Sequence, residues 1–154
     1  STSTSLLYLS RFFYFLLFKG TFFFFVLAAG SFYTFFILNR AAMIQAINAG
    51  LLPGTAGVPN FTPTLTADKV KVENFILYHI LDKRTVIANG IDIGSYPSLL
   101  KNVAGDPVTF SILYPGGIFE VGDGFNRKAR LVTALSNNLS NRTVLHLVDN
   151  YLRY

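Results

Sequence analysis

Two histidines, His79 and His146, are the side chains best suited to acid–base or metal chemistry in this 154-residue sequence. His79 shares an apolar stripe with Val72, Phe75, Ile76 and Ile80, spaced i, i+3, i+4, i+7 and i+8 on a predicted helix. That spacing predicts a core ring whose nitrogens bond neighbouring backbone. His146 lies in a strand-like run, three residues before Asp149. Residues i and i+3 of a strand face opposite ways, so this pair forms neither a chelate nor a dyad. A zinc site needs three or four ligands. Without any Cys, both histidines would have to meet distant carboxylates, and no metal is expected.

Other chemistries lack their motifs. No Gly-x-Ser-x-Gly elbow is present, since Gly94-Ser95-Tyr96 has only its first half. The phosphate loop Gly-x-x-x-x-Gly-Lys-Ser/Thr is absent, and Gly122-Asp123-Gly124 reads as a turn. No Asp-x-Asp run suits calcium. The eight acids stand singly, and nearly all of them read as solvated surface. Lacking Cys, the chain has no thiolate catalysis or iron–sulfur ligation. A non-catalytic protein without a cofactor is the expectation. Arg127-Lys128-x-Arg130 is the densest basic cluster and Lys83-Arg84 the second. Nucleic-acid binding would need exposed aromatics among such residues. The aromatics here read as buried, so a charged hairpin edge is expected and nucleic acid is not. Three glycan-acceptor patterns begin at Asn60, Asn138 and Asn141, too short to decide anything.

The elements that carry these residues are unevenly composed. Every acid lies after residue 67, and 11 of the 16 Phe fall between Phe12 and Phe36. Net charge is +5, and 51% of residues are apolar, which excludes a disordered chain. The length suits one domain. The absence of an initial Met suggests a processed chain or a piece of a longer one. Gly20 to Asn39 carries no charge and has the length of a bilayer-spanning helix. Gly20-Thr21, Gly30-Ser31 and Asn39 interrupt it with turn formers, and Phe32 to Leu38 reads as a buried strand. A packed core is therefore favoured over a membrane anchor. Residues 1–5 read as a linker or frayed end, and Leu6 to Phe18 as a helix.

Further along, Ala41 to Ala49 predicts a helix ended by Gly50. Thr55 to Pro63 reads as an exposed loop, and a second helix starts near Thr66 or Asp68 and closes at Asp82-Lys83. Strand patterns follow. Thr85 to Ala88 leads into Asn89-Gly90, a strong hairpin pattern, with Ile91 and Ile93 on the return. Val108, Phe110, Ile112 and Tyr114 alternate with Thr109, Ser111 and Leu113, and Pro115-Gly116-Gly117 turns the chain into Ile118 to Val121. Asp123-Gly124 turns again, then Ala129 to Ala134 and Thr143 to Val148 read as strands. Helices first and short strands after predict an α+β fold.

Three boxes in this order resemble those of the fasciclin domain family. Thr34 to Met43 (Thr-Phe-Phe-Ile-Leu-Asn-Arg-Ala-Ala-Met) is similar to Thr-x-Phe-Ala-Pro-Thr-Asn-x-Ala-Phe, with Leu38 in place of Pro and Arg40 in place of Asn. Phe75-Ile76-Leu77-Tyr78-His79-Ile80 is similar to the family's Tyr-His box, and Asn141 to Leu152 to its closing box. The match covers residues 6–152. It implies a single compact α+β domain over residues 6–154, with N-terminal helices packed on a wedge of short, mostly antiparallel strands. Residues 10–38 would supply two helices and a central strand. The resemblance also implies an adhesion module, extracellular or at the cell surface, contacting protein or glycan within a larger chain or assembly. The Tyr-His box is a proposed contact region of the family, which makes Tyr78 and His79 the candidate interaction residues, against a place for both in the core. The alternative is a membrane-anchored structural subunit, with residues 12–38 in lipid or against a partner.

Overall fold

A computed structural model describes residues 32–86, 88–132, 138–140 and 143–154. The expected linker, the opening helices and all of the aromatic front before Phe32 lie outside those residues. Their packing on the strands is therefore not part of the fold described here.

The aromatic, β-branched run Tyr33–Leu38 is strand β1, nearly all of it buried. It pairs in parallel with β10 (Thr143–Val148) over its whole length, from Tyr33 opposite Thr143 to Leu38 opposite Val148. On its other side β1 pairs antiparallel with the short β4 (Ile80–Leu81). A strand flanked on both sides and covered on both faces reads as a continuous apolar run rather than an alternating one. Tyr33 to Leu38 is therefore a central strand of the sheet, as the aromatic and β-branched run predicts, and not part of an apolar helix. No helix among the described residues is long and apolar enough to span a membrane.

Asn39 ends β1 and caps helix α1 (Arg40–Asn48), its Oδ1 accepting from the Ala42 N–H at 2.9 Å. Gly50, at φ +80, turns the chain out of that helix as expected. The stretch read as a loop contains a small hairpin, β2 (Gly54–Thr55) with β3 (Val58–Pro59). Gly54 is required there, because a Cβ would run into the Val58 carbonyl and the Ile47 side chain. Helix α2 (Thr66–Tyr78) buries Val72, Phe75, Ile76, Leu77 and Tyr78. It stops earlier than the apolar stripe predicts. His79 is its C-cap, and Ile80 belongs to β4, because the His79 carbonyl takes the Phe36 N–H at 2.8 Å. Sheet pairing overrides the helical period at this point.

The longest strand, β5 (Gly94–Lys101), was not predicted. It pairs with β6 (Pro107–Leu113), which pairs with β7 (Glu120–Gly122), which pairs with β8 (Lys128–Arg130), all antiparallel. The apolar pattern of β5 is broken by Pro97 and by buried Ser98, where the ladder bulges. Ser98 repairs the bulge, donating from Oγ to the Val108 carbonyl at 2.6 Å and accepting from the Leu100 N–H at 3.2 Å. The hairpin predicted at Asn89-Gly90 does not form. Thr85, Val86 and Ala88 have no strand backbone, and Asn89 Oδ1 instead closes a local turn onto the Ile91 N–H.

Among the described residues the large sheet has eight strands in the order β8-β7-β6-β5-β4-β1-β10-β9, where β9 is Asn138–Ser140. Its ends meet. Leu131 bridges Val148, and the Val132 N–H donates to the Leu147 carbonyl at 2.8 Å. Seven of the strands thus curl into a nearly closed ring, with β9 outside it. All pairings except β1–β10 are antiparallel, as expected for the strands of this α+β chain. Inside the ring Phe36 meets Phe110 edge-on at 5.2 Å, and His146 stacks on Phe36 at 5.9 Å. Each fully buried side chain of this size contributes about 1.5–3 kcal/mol.

Candidate functional site

Tyr78 ends helix α2 and points into the base of the ring, almost fully buried. Its ring meets Phe110 edge-on at 6.0 Å and lies 4.9 Å from that of Tyr154. Its hydroxyl is buried and has no hydrogen-bond partner. Burial first, then the negative charge of Asp123, raise the Tyr78 phenol well above the ordinary tyrosine range. Tyr154 is raised by burial too.

His79 stacks on Phe75 at 4.2 Å and donates from Nδ1 to the Phe75 carbonyl at 2.7 Å. Its Nε2 faces the interior without a partner. Burial lowers its pKa to about 4, so the ring is neutral. Both candidate residues are therefore core residues as the chain is folded here, and the surface above them is made by other groups.

That surface is the C-terminal segment 149–154 and the β7–β8 turn, which sequence reasoning missed. The turn is organised by Asp123. Its Oδ1 accepts from the Phe125 and Arg127 N–H groups at 2.7 and 2.9 Å, and its Oδ2 from the Arg153 N–H at 2.7 Å. Arg127 then clasps the terminal segment. Its Nε donates to the Tyr151 carbonyl at 3.0 Å, a terminal nitrogen to Asn150 Oδ1 at 2.6 Å, and its guanidinium lies 3.7 Å from the Tyr151 ring centre. Asn150 Nδ2 donates to the Lys128 carbonyl at 2.9 Å, and Arg130 N–H to Asp149 Oδ1 at 2.7 Å. Leu152 is buried and Tyr154 covers Tyr78. The Asp-Gly-x-Asn pattern at 123–126 is the one sequence feature that marks so ordered a turn.

The basic cluster is not a freely solvated edge. Arg127 is held as described, while Lys128 and Arg130 lie 3.5 and 3.3 Å from Glu120. Glu120 is only 3% exposed, an exception to the surface reading of nearly all the acids.

His146 is also buried, and burial lowers its pKa. Its Nε2 donates to the Val86 carbonyl at 2.6 Å. The neutral rings of His79 and His146 thus each commit a nitrogen to a backbone carbonyl, an arrangement that holds structure rather than moving protons to a substrate. Among the described residues no three His, Asp or Glu side chains converge as metal ligands.

No protein-family model matches the chain, and no curated protein matches its sequence. Among solved structures, the fold is similar to a FAS1 domain pair from the insect cell adhesion molecule fasciclin I. The TM-score is 0.62 at 14% identity, over 99% of this chain and 46% of the solved one. The chain thus spans about half of that domain pair's length. At this identity the likeness establishes the fold, and the expected fasciclin-like fold is the one observed.

Proposed function

We propose that this fasciclin-fold chain is a non-catalytic adhesion module of the extracellular space or cell surface, contacting a protein or glycan partner within a larger chain or assembly. The observation that carries the reading is the likeness of essentially the whole chain to domains of a cell adhesion molecule. The histidines support it, because both are buried and neutral with a nitrogen on a backbone carbonyl. So does the rigid, polar and aromatic surface of the β7–β8 turn and the terminal segment, where Phe125 stands exposed beside Arg153. Exposed aromatic and guanidinium groups on a fixed backbone suit protein or glycan recognition. Tyr78 and His79 act in this reading from beneath, as the packed floor of that surface.

The test is adhesion of beads coated with the 154-residue chain to cells of its source organism. Specific adhesion that soluble chain competes away is expected, and Phe125→Ala should weaken it. A folded chain that coats beads and leaves them non-adherent would remove the reading. Protease shaving of intact cells should release the tagged protein if the location is as proposed.

A further inference from the structure

Strands β1 and β10 lie side by side and run the same way, although residues 39–142 separate them in sequence. Phe32, 52% exposed, stands just before the first position of β1, and the exposed Asp149 stands just after the last position of β10. Strands rise about 3.3 Å per residue, and neighbouring strands lie about 4.8 Å apart. A line from Phe32 to Asp149 therefore runs mainly along the six-residue pair and only slightly across it. Tension on that line draws β1 back toward its start and β10 onward past its end. The evenly spaced, slanted hydrogen bonds of a parallel pair resist such sliding together. Tension applied at one end of the pair opens them one at a time.

Two features hold this pair against sliding. Both strands fasten onto the same loop. Thr34 of β1 donates from its hydroxyl to the Arg84 carbonyl at 2.8 Å and accepts from the Val86 N–H at 2.9 Å, and His146 of β10 donates from Nε2 to the Val86 carbonyl at 2.6 Å. The pair is also dry. Phe36, Ile37, Leu38, Val144, Leu147 and Val148 are buried, and His146 stacks on Phe36, its partner in the register. Water cannot replace a stretched bond there until the strands have parted. We propose that this domain carries tension along its chain, with the β1–β10 pair as the element that bears it and the shared loop at Val86 as its brace. The inference rests on the adhesion reading for its use, because a module that joins a partner to the rest of its chain is pulled from both sides. The property itself is measured without any partner.

The chain has no Cys, so engineered pairs alone define the line of pull. Phe32→Cys with Asp149→Cys pulls lengthwise. Arg40→Cys with Asp149→Cys pulls crosswise, since both exposed positions lie beyond the same end of the pair. Each full-length variant is tethered through DNA handles in optical tweezers and held at constant force. Matching urea midpoints show that both start from the same fold. At a force that unfolds the crosswise molecule, the lengthwise one should last about tenfold longer or more, because several buried bonds must part at once. Its extension should then grow in one step by about 3.3–3.6 Å per residue over residues 33–148. Thr34→Val should shorten the lengthwise lifetime and leave the crosswise one nearly unchanged, because the crosswise pull starts at Val148 and reaches Thr34 last. Thr34→Ser should restore most of the loss. Equal lifetimes on the two lines, or a longer crosswise one, overturn the inference. A first lengthwise step too short to span residues 33–148 also overturns it, because another element then yields first. Equal shortening of both lifetimes by Thr34→Val removes the loop as a brace. A chain that passes these tests and leaves coated beads non-adherent loses the adhesion reading alone.

Discussion

His146, on the last strand of the ring, donates from Nε2 to the Val86 carbonyl 60 residues earlier in the chain, at 2.6 Å. Thr34 on the neighbouring strand completes the hold. Its hydroxyl donates to the Arg84 carbonyl at 2.8 Å and accepts from the Val86 N–H at 2.9 Å. Two buried polar side chains thus satisfy a loop that has no ladder partner, and they fix the base of the β4–β5 connection. That connection also carries the exposed Ile91 and Ile93.

Breaking this latch leaves backbone groups buried and unpaired. Thr34→Val should cost about 1–3 kcal/mol in urea unfolding, and Thr34→Ser much less. His146→Phe should cost a similar amount, for it fills the space but strands the Val86 carbonyl. Equal stability of Thr34→Val and wild type would show that the loop is held elsewhere.

Acid should destabilise the fold between pH 6.5 and about 4, because His79 titrates near 6.5 when unfolded and near 4 when folded. The unfolded chain binds the extra proton over this window, so stability falls as pH falls. The expected loss is on the order of 3 kcal/mol by pH 4, with a same-signed addition from His146. His79→Leu should flatten much of that slope. Urea midpoints at pH 7 and pH 4.5 for both chains measure it.

Glu120 predicts an asymmetry. It is buried, whereas its partners Lys128 and Arg130 are mostly exposed. Removing both cations leaves a carboxylate without compensation and should cost about 2 kcal/mol or more. Glu120→Met leaves only solvated cations and should cost clearly less. Thermal or urea unfolding of Lys128→Ala with Arg130→Ala against Glu120→Met decides it. The reverse order would mean that the carboxylate is solvated.

Arg127→Ala should loosen the terminal segment and let water reach Tyr78. Amide exchange at 150–153 should speed up, and the elevated phenol titrations of Tyr78 and Tyr154 should move down toward the ordinary value. Arg127→Lys keeps the charge but not the fork, and should fall between. Unchanged tyrosine titration in Arg127→Ala would place the cover over Tyr78 in packing alone.

The sequence by itself determined what short-range pattern can carry. The apolar run at 33–38, the alternation at 108–113, the stripe of α2, the cap at Gly50 and the turns at Pro115 and Asp123 all follow from spacing and turn chemistry. The boxes in order were enough for the fasciclin fold. Only the tertiary structure decided the rest, wherever a residue's partner lies far along the chain. Strand β5 hides Pro97 and Ser98 in its middle, and its strand character comes from β4 and β6. The Asn89-Gly90 hairpin fails because Thr34 and His146 take the backbone groups of residues 84–86. Helix α2 stops at Tyr78 because Phe36 claims the next carbonyl. The cover over Tyr78 and the burial of Glu120 arise from contacts across the ring, which local periodicity does not encode, because those pairs meet only when the sheet closes.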